Sequence, residues 1–429
     1  MHIVFFSHYY PPEGNAPASR TRDHCVRWAA AGHRITVITC APNVPDGVVY
    51  DGYRNRMWPQ RESLDGVEVI RVWTWLAANA GGAKRIANYL SYLFSSLFAF
   101  VFFCRRPDLV IATTPQFFCG WAGLIASWLK WRPFLLEVRD IWPESIVTVG
   151  AMSRGLVTRM LEVLERIMYR GANHVVAVGN GYRDNIVGKV PVQDRISVIT
   201  NGVDCDQYRP REPSPGFLKE HGLDDRFVCS YVGTIGMAHG LEVMLRAARL
   251  LREQGREDIA FCLVGDGADR ARLEQMTATG GLEDLVRFSG RLPKERMPEV
   301  LASSSCLLVH LRKTDLFETV IPSKIFEAMA MQRPLIMGVR GESAEIVQQA
   351  AAGMDMEPDN ESDLMAAVLQ LCDDRQRYQS LAAGGREYVR QNYSRDRLAA
   401  RYLELILTVA GKSGSSPTGT PPGTPPVEP

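Results

Sequence analysis

The first half of the chain is punctuated by short apolar, β-branched runs: "HIVFFSH", "RITVITC", "VEVIRVW", "DLVIAT", "PFLLEVRD", "HVVAVG" and "ISVIT". Between them apolar positions recur at helical spacing, so strands alternate with helices. That alternation implies right-handed crossovers and a mainly parallel sheet. After the Pro-rich "YRPREPSPG" the pattern begins again with "FVCSYVG", "IAFCLVG", "VRFSG", "CLLVHL" and "PLIMGV". The expected architecture is α/β, with two Rossmann-like, doubly wound parallel-sheet domains at residues 1–208 and 209–392, joined near residues 204–216. "YSRDRLAARYLELILTVAG" adds an amphipathic helix at residues 393–411, and the Pro/Gly/Ser/Thr-rich residues 412–429 are expected to be disordered and outside the fold. Such sheets bind ligands at the carboxyl ends of their strands, so two of them facing each other should form a cleft.

One helical segment stands apart. Residues 89–104, "YLSYLFSSLFAFVFFC", form the most apolar stretch and are flanked by Lys84, Arg85, Arg105 and Arg106. The stretch is short of the roughly 20 residues that cross a bilayer. It reads either as a crossover helix buried in the first domain or as an aromatic face offered to a membrane surface with basic anchors, and the two do not exclude each other. A chain of 429 residues suits two cores, and a net charge of +1 gives no reason to expect nucleic acid as a partner. The nine cysteines are scattered, without CxxC pairs or metal-ligand spacing, which suggests buried thiols in a reducing compartment. The opening "MHIVFFSHYYPPEG" reads as a strand entering a turn, so no secretion signal is expected.

Candidate chemistry gathers where strands end. The first loop, "SHYYPPEGNAPASR", lacks the GxGxxG that a nicotinamide or flavin domain would place there, which disfavours a dehydrogenase. In it Gly14 would let backbone approach a donor and Glu13 would meet an acceptor, or the loop is simply a stiff Pro-Pro connector. "LLEVRDIWPES" puts Arg139, Asp140 and Trp142 just past a strand, suited to an acceptor sugar; the alternative is an Arg–Asp pair capping the next helix. Asp140 could serve as a base or as a stabiliser of positive charge. Asp204 and Asp206 resemble a metal-binding DxD, but the preceding Asn201 and Gly202 favour a structural turn.

In the second domain, "VGTIGMAHGLEVML" is a strand, a glycine-rich loop and a helix, so Gly233 and Gly236 can offer backbone N–H groups to phosphate. His239 could donate to that phosphate or be an ordinary surface histidine. Asp266 and Gly267 could be no more than a tight turn, while Arg291 and Leu292 end another strand where main-chain groups could read a base edge. "FETVIPSKIFEAMA" places Ile321, Ser323 and Lys324 at a helix start and Glu327 one turn further. A lysine there opposes the helix dipole unless an anion is bound. Glu327, as an acceptor, suits hydroxyls. The stretch reads as a site for a molecule with a phosphate end and a hydroxylated end.

Taken in order, "GHRITVIT", "NGVD", "LVGDGADRARLE", "VRFSGR" and "IPSKIFEAMA" resemble retaining glycosyltransferase family 4, whose fold is the two-Rossmann GT-B architecture. "YYPPEGNAPASR" with "EVRDIWPES" is similar to its bacterial polysaccharide branch, which contains colanic-acid-type and L-fucosamine transferases. The resemblance implies a UDP-sugar donor held mainly by the second domain, no essential metal or other cofactor, and an undecaprenyl-diphosphate-linked saccharide acceptor. It also implies a cytoplasmic enzyme peripheral to the inner face of the plasma membrane. Glu327 matches the second Glu of the family's E-x7-E motif, which binds ribose; the first falls on Thr319, with Glu318 one residue out of register. The usual Arg and Lys of the second domain's first loop are missing, with His239 close to where the Lys would lie. Catalysis would then rest on Asp140, Lys324 and Glu327. The competing readings are a GT-B nucleotide-sugar 2-epimerase and a non-catalytic subunit of a transferase complex.

Overall fold

The computed structural model describes residues 1–77, 82–114, 116–148, 153, 155–313 and 321–412. Thr319 and the tail expected to be disordered, beyond residue 412, lie outside the described residues. The chain divides into two compact units, one built from residues 1–136, 171–175 and the C-terminal segment from 400, the other from residues 137–170 and 176–399.

The first sheet has eight strands: β1 (His2–Phe6), β2 (Arg34–Cys40), β3 (Gln60–Leu64), β4 (Val67–Val72), β5 (Leu109–Thr113), β6 (Phe134–Val138), β7 (His174–Ala177) and β8 (Ile196–Val198). Their spatial order is β3-β4-β2-β1-β5-β6-β7-β8. The chain winds one way from β1 to β2 and the other way to β5, so the crevice at the switch point opens beside β1. β5 and β6 are buried along their whole length, as strands covered on both faces must be. β3 is the exception: "QRESL" alternates exposed and half-buried positions and pairs antiparallel with β4 at the sheet's edge. Its polarity kept it out of an apolar-run reading.

The second sheet is parallel throughout: β9 (Phe227–Val232), β10 (Ile259–Val264), β11 (Val286–Gly290), β12 (Cys306–His310), β13 (Leu335–Gly338) and β14 (Gly353–Asp355), in the order β11-β10-β9-β12-β13-β14. Here the reversal falls between β9 and β12. The final helix, Arg395–Val409, returns the chain to the first unit, where Tyr402 stands edge-on to His24 and Trp28 with ring centroids 5.2 and 5.1 Å apart. Lys412 closes the return with an ion pair to Asp108 at 2.7 Å.

The apolar helix, Gly82–Phe103, links β4 to β5 and is therefore a crossover helix. Its inner face buries Tyr92, Ala99 and Phe100. Its outer face is apolar as well, with Phe94 68% and Phe102 71% exposed. The crossover reading holds, and the outer face stays apolar because the helix is hydrophobic around its circumference and the sheet covers one side.

Candidate active site

The carboxyl edge of the second sheet is built from loops stitched together through the backbone. Gly233 N–H donates to the Val264 carbonyl at 2.9 Å, Ile235 N–H to Asp266 at 2.9 Å, and Gly265 N–H to Gly290 at 3.0 Å. The loops after β9, β10 and β11 thus share one hydrogen-bonded seam. Their glycines are steric necessities. A Cβ on Gly265 would meet the Gly233 carbonyl oxygen at 1.8 Å, and one on Gly267 the Ile235 oxygen at 2.3 Å. β12 fixes the other side: Arg312 N–H donates to Ala238 O and its Nε to Met237 O, at 2.9 and 2.7 Å. His310 accepts the Asp359 N–H on Nε2 at 2.9 Å, which leaves Nδ1 to donate to the His239 carbonyl at 2.6 Å. The glycine-rich loop is therefore held rigid before any ligand arrives.

Into this frame the helix Lys324–Ala330 sends its first residue. The Lys324 ammonium lies 3.9 Å from the Tyr231 ring centroid, a cation–π contact, and a Cβ on Gly233 would be 3.3 Å from Nζ. Burial pushes Lys324 down to about 7, opposed only by the charge of Glu327. Tyr231 also carries His239 on its ring, with centroids 5.8 Å apart, and donates its hydroxyl to Thr234 O at 2.8 Å. The His239 imidazole is held below its ordinary value by burial first and by Lys324 second. Gly233, Gly236, His239 and Lys324 accordingly form one cluster around Tyr231.

Glu327 lies one helical turn on. Burial raises its carboxyl above the usual range, opposed by the charges of Arg395 and Lys294, the Tyr208 hydroxyl and Lys324. The helix itself contributes less than its sequence suggests. It has 7 residues, and the first-turn amides of Ile325 and Phe326 already bond Pro322 O and Ser323 O at 3.2 and 3.1 Å. The anion-matching charge here is the ammonium, more than the helix end. Ser323 is exposed and makes no side-chain cap, while Ile321 packs against the apolar cluster beneath the helix. Arg291 is exposed just past β11, and Leu292 packs partly into the core below β9 and β10.

At the first sheet, Asp140 follows β6 and precedes the short helix Glu144–Thr148. Its carboxyl is raised by burial. The Tyr182 phenol, near both Asp140 and Arg139, is pushed up to about 12, chiefly by burial. Arg139 and Trp142 flank Asp140, each half-buried and engaged in further contacts. Glu13 has an internal task instead of an exposed one: at 3% exposure its Oε1 accepts the backbone N–H groups of Asn43 and Val44, at 2.9 and 3.2 Å. It ties the loop after β1 to the loop after β2, which removes it as an open acceptor contact. Gly14 is exposed, and nothing lies within 4 Å of a Cβ built there. Asp204 Oδ1 accepts from Asp206 and Gln207 N–H at 3.1 Å each, the turn that the Asn-Gly signal implied.

Tyr231 and His310 escaped the sequence reading. Both sit inside buried strand runs, where their only signal is position: each lies at or next to the carboxyl end of a strand flanking the switch point.

Comparison with known proteins agrees with this fold. The Glycosyl transferase 4-like domain family matches residues 15–202, and the Glycosyl transferases group 1 family matches residues 226–374. The provisionally named colanic acid biosynthesis glycosyl transferase WcaI of Escherichia coli (strain K12) is 24% identical over 339 residues, covering 77% of this chain and 81% of that protein. Among solved structures, HepE of Anabaena in complex with UDP superposes with a TM-score of 0.69 at 17% identity, covering 95% of this chain and 100% of HepE. Sucrose-phosphate synthase from Thermosynechococcus elongatus gives 0.72 at 16% identity, with 96% and 99% covered. Two successive glycosyl transferase domains on a pair of Rossmann-like sheets make this chain a GT-B glycosyltransferase.

Proposed function

We propose that the chain is a retaining glycosyltransferase that moves a sugar, an N-acetylated or deoxyamino hexose, from a UDP-sugar to an undecaprenyl-diphosphate-linked saccharide in bacterial surface polysaccharide synthesis. The observation that carries this reading is Lys324, a half-buried ammonium fixed over Tyr231 beside the Gly233 backbone, with Glu327 one turn behind it. UDP as the nucleotide draws support from HepE, which was solved with UDP. The polysaccharide setting draws support from a relative named for colanic acid biosynthesis.

In this reading Lys324 meets the charge that develops on the β-phosphate as the bond to the sugar breaks. Glu327 accepts hydrogen bonds from the ribose hydroxyls. The sugar becomes oxocarbenium-like, and the acceptor hydroxyl attacks from the face the leaving group vacates, which retains the anomeric configuration. No metal is required, because the ammonium and the backbone of the glycine-rich loop answer the diphosphate charge. Asp140 contacts the acceptor or the cation, and its raised carboxyl suits a group that takes up a proton. The acceptor's lipid places the enzyme at the cytoplasmic face of the membrane.

Two measurements test this. Purified enzyme supplied with a UDP-sugar panel and the lipid-linked acceptor should release free UDP only when acceptor is present. Turnover of UDP-GlcNAc without acceptor would instead favour an epimerase, and no UDP release with any donor would leave a silent subunit. Asp140→Asn should cut turnover by roughly 10²-fold or more while the affinity for UDP holds; unchanged turnover would remove Asp140 from the chemistry.

A further inference from the structure

We infer that the amino edge of the first sheet carries a docking site for anionic phospholipid, centred on Trp131 and Arg132 and distinct from the carboxyl edge where Asp140 lies. The inference rests on the membrane-facing reading above and names the surface and the lipid chemistry involved.

The helix Phe117–Lys130 ends at Trp131, which adopts φ +51° and is 87% exposed. A helix that simply needs to stop takes Gly or Asn in this left-handed conformation. A β-carbon there is strained, and the largest side chain of all gains nothing by standing in water. Strain kept at an exposed aromatic points to a partner. Trp128 and Leu129 beside it are each 55% exposed. Trp128 and Trp131 rim a hollow of about 480 Å³ lined also by Ser127, Arg132, Pro133, Gly171 and Asn173, with no acidic residue in its lining. Arg132 brings the charge, and its Nε is buried without a hydrogen-bond partner among the described residues. A guanidinium donor held off water calls for an oxyanion.

The neighbouring helix extends the same surface. Lys130 Nζ donates to Phe100 O and Cys104 O, at 2.9 and 2.7 Å, and so ties the end of the Gly82–Phe103 helix to the end of the tryptophan helix. The outer stripe of that helix, Phe94, Phe98, Val101 and Phe102, therefore runs toward the tryptophans. Trp58 joins it, edge-on to Phe98 and Phe103 with centroids 6.0 and 5.2 Å away. No charged residue interrupts the helix between Arg85 and Arg105, and Arg105 and Arg106 are exposed at its end. Tryptophan and phenylalanine beside arginine, with a partnerless guanidinium donor in a roomy hollow, match the interfacial layer of an anionic bilayer: rings among the acyl boundary, guanidinium on a lipid phosphate.

The test uses the full chain and vesicles, with no sugar donor, so it stands apart from transfer. Wild type should float with phosphatidylglycerol-containing vesicles and not with phosphatidylcholine alone. Its tryptophan emission should shift to the blue on binding. Trp128→Ser with Trp131→Ser should weaken partition by roughly tenfold or more, and Arg132→Gln by about fivefold. Both variants alter exposed or half-exposed positions, and unchanged circular dichroism would verify their fold. Wild type that stays out of the lipid fraction, or variants that float equally well, would overturn the inference. So would a self-associated form that the tryptophan variant dissociates, or saturation of the site by soluble glycerol phosphate. Vesicle binding that persists while no donor yields UDP would leave this site standing and fail the transferase reading alone.

Discussion

Lys324→Met should lower kcat/KM for sugar transfer by roughly 10²–10³-fold without loss of fold. The reason is the placement of the ammonium: it sits over Tyr231 and beside Gly233, desolvated before the diphosphate arrives, so an anion there gains more from it than from a lysine in water. Burial has pushed Lys324 down to about 7 from 10.5, so between those values the unfolded chain holds a proton that the folded chain has released. Stability in that window rises with pH, and the penalty of the buried charge is fully present below it. The methionine variant lacks this slope, and its melting temperature at pH 6 should match or exceed the wild type's. UDP binding moves the other way. With the charged lysine as the binding form, affinity should weaken as pH rises through 7, by up to about 30-fold at pH 8.5 relative to the fully charged form at low pH, and binding there should take up a proton. Calorimetry in buffers of different ionisation enthalpy reads both. A flat pH profile in the wild type, or transfer that survives the substitution, would displace Lys324 from the donor site.

Which parts of this were legible follows from what each residue has to do. Parallel strands covered on both faces must be continuously apolar, and so β1, β5, β6, β9, β10 and β12 announce themselves. Lys324 stood out in the sequence because a cation in a helix's first turn opposes the dipole, and Glu327 because an acid one turn on suits hydroxyls. What the sequence hid are consequences of three-dimensional closure. The β3 edge strand has a polar face and no apolar run. Glu13 read as an acceptor contact, and only the approach of the β2 loop, with two N–H groups to satisfy, shows why it is buried. Tyr231 was indistinguishable from its apolar neighbours until Lys324, far along the chain, was seen to rest on it. The "VGDG" turn read as a turn and nothing more, although its first glycine has the tightest backbone approach of any described glycine.

Gly265→Ala is for that reason the substitution expected to damage the fold most. The residue sits at φ +144°, a region L side chains avoid, and its β-carbon would lie 1.8 Å from the Gly233 carbonyl oxygen. The obstacle is backbone and cannot swing aside as a side chain can. Relief requires parting the loops after β9 and β10, which breaks the Gly233 N–H to Val264 O and Ile235 N–H to Asp266 O bonds together. Strain and lost pairing should cost on the order of 3–5 kcal/mol, or a drop near 10 °C in melting temperature. Because the parted loop is the one that faces Lys324, the surviving folded fraction should also bind UDP poorly, which separates this lesion from simple destabilisation. Gly14→Ala is the matched control: open space surrounds that position, so its melting temperature should stay within about 2 °C of wild type. An alanine at 265 that melts like the control would show that the two loops can part without cost, and that the seam between them does not hold the donor site in shape.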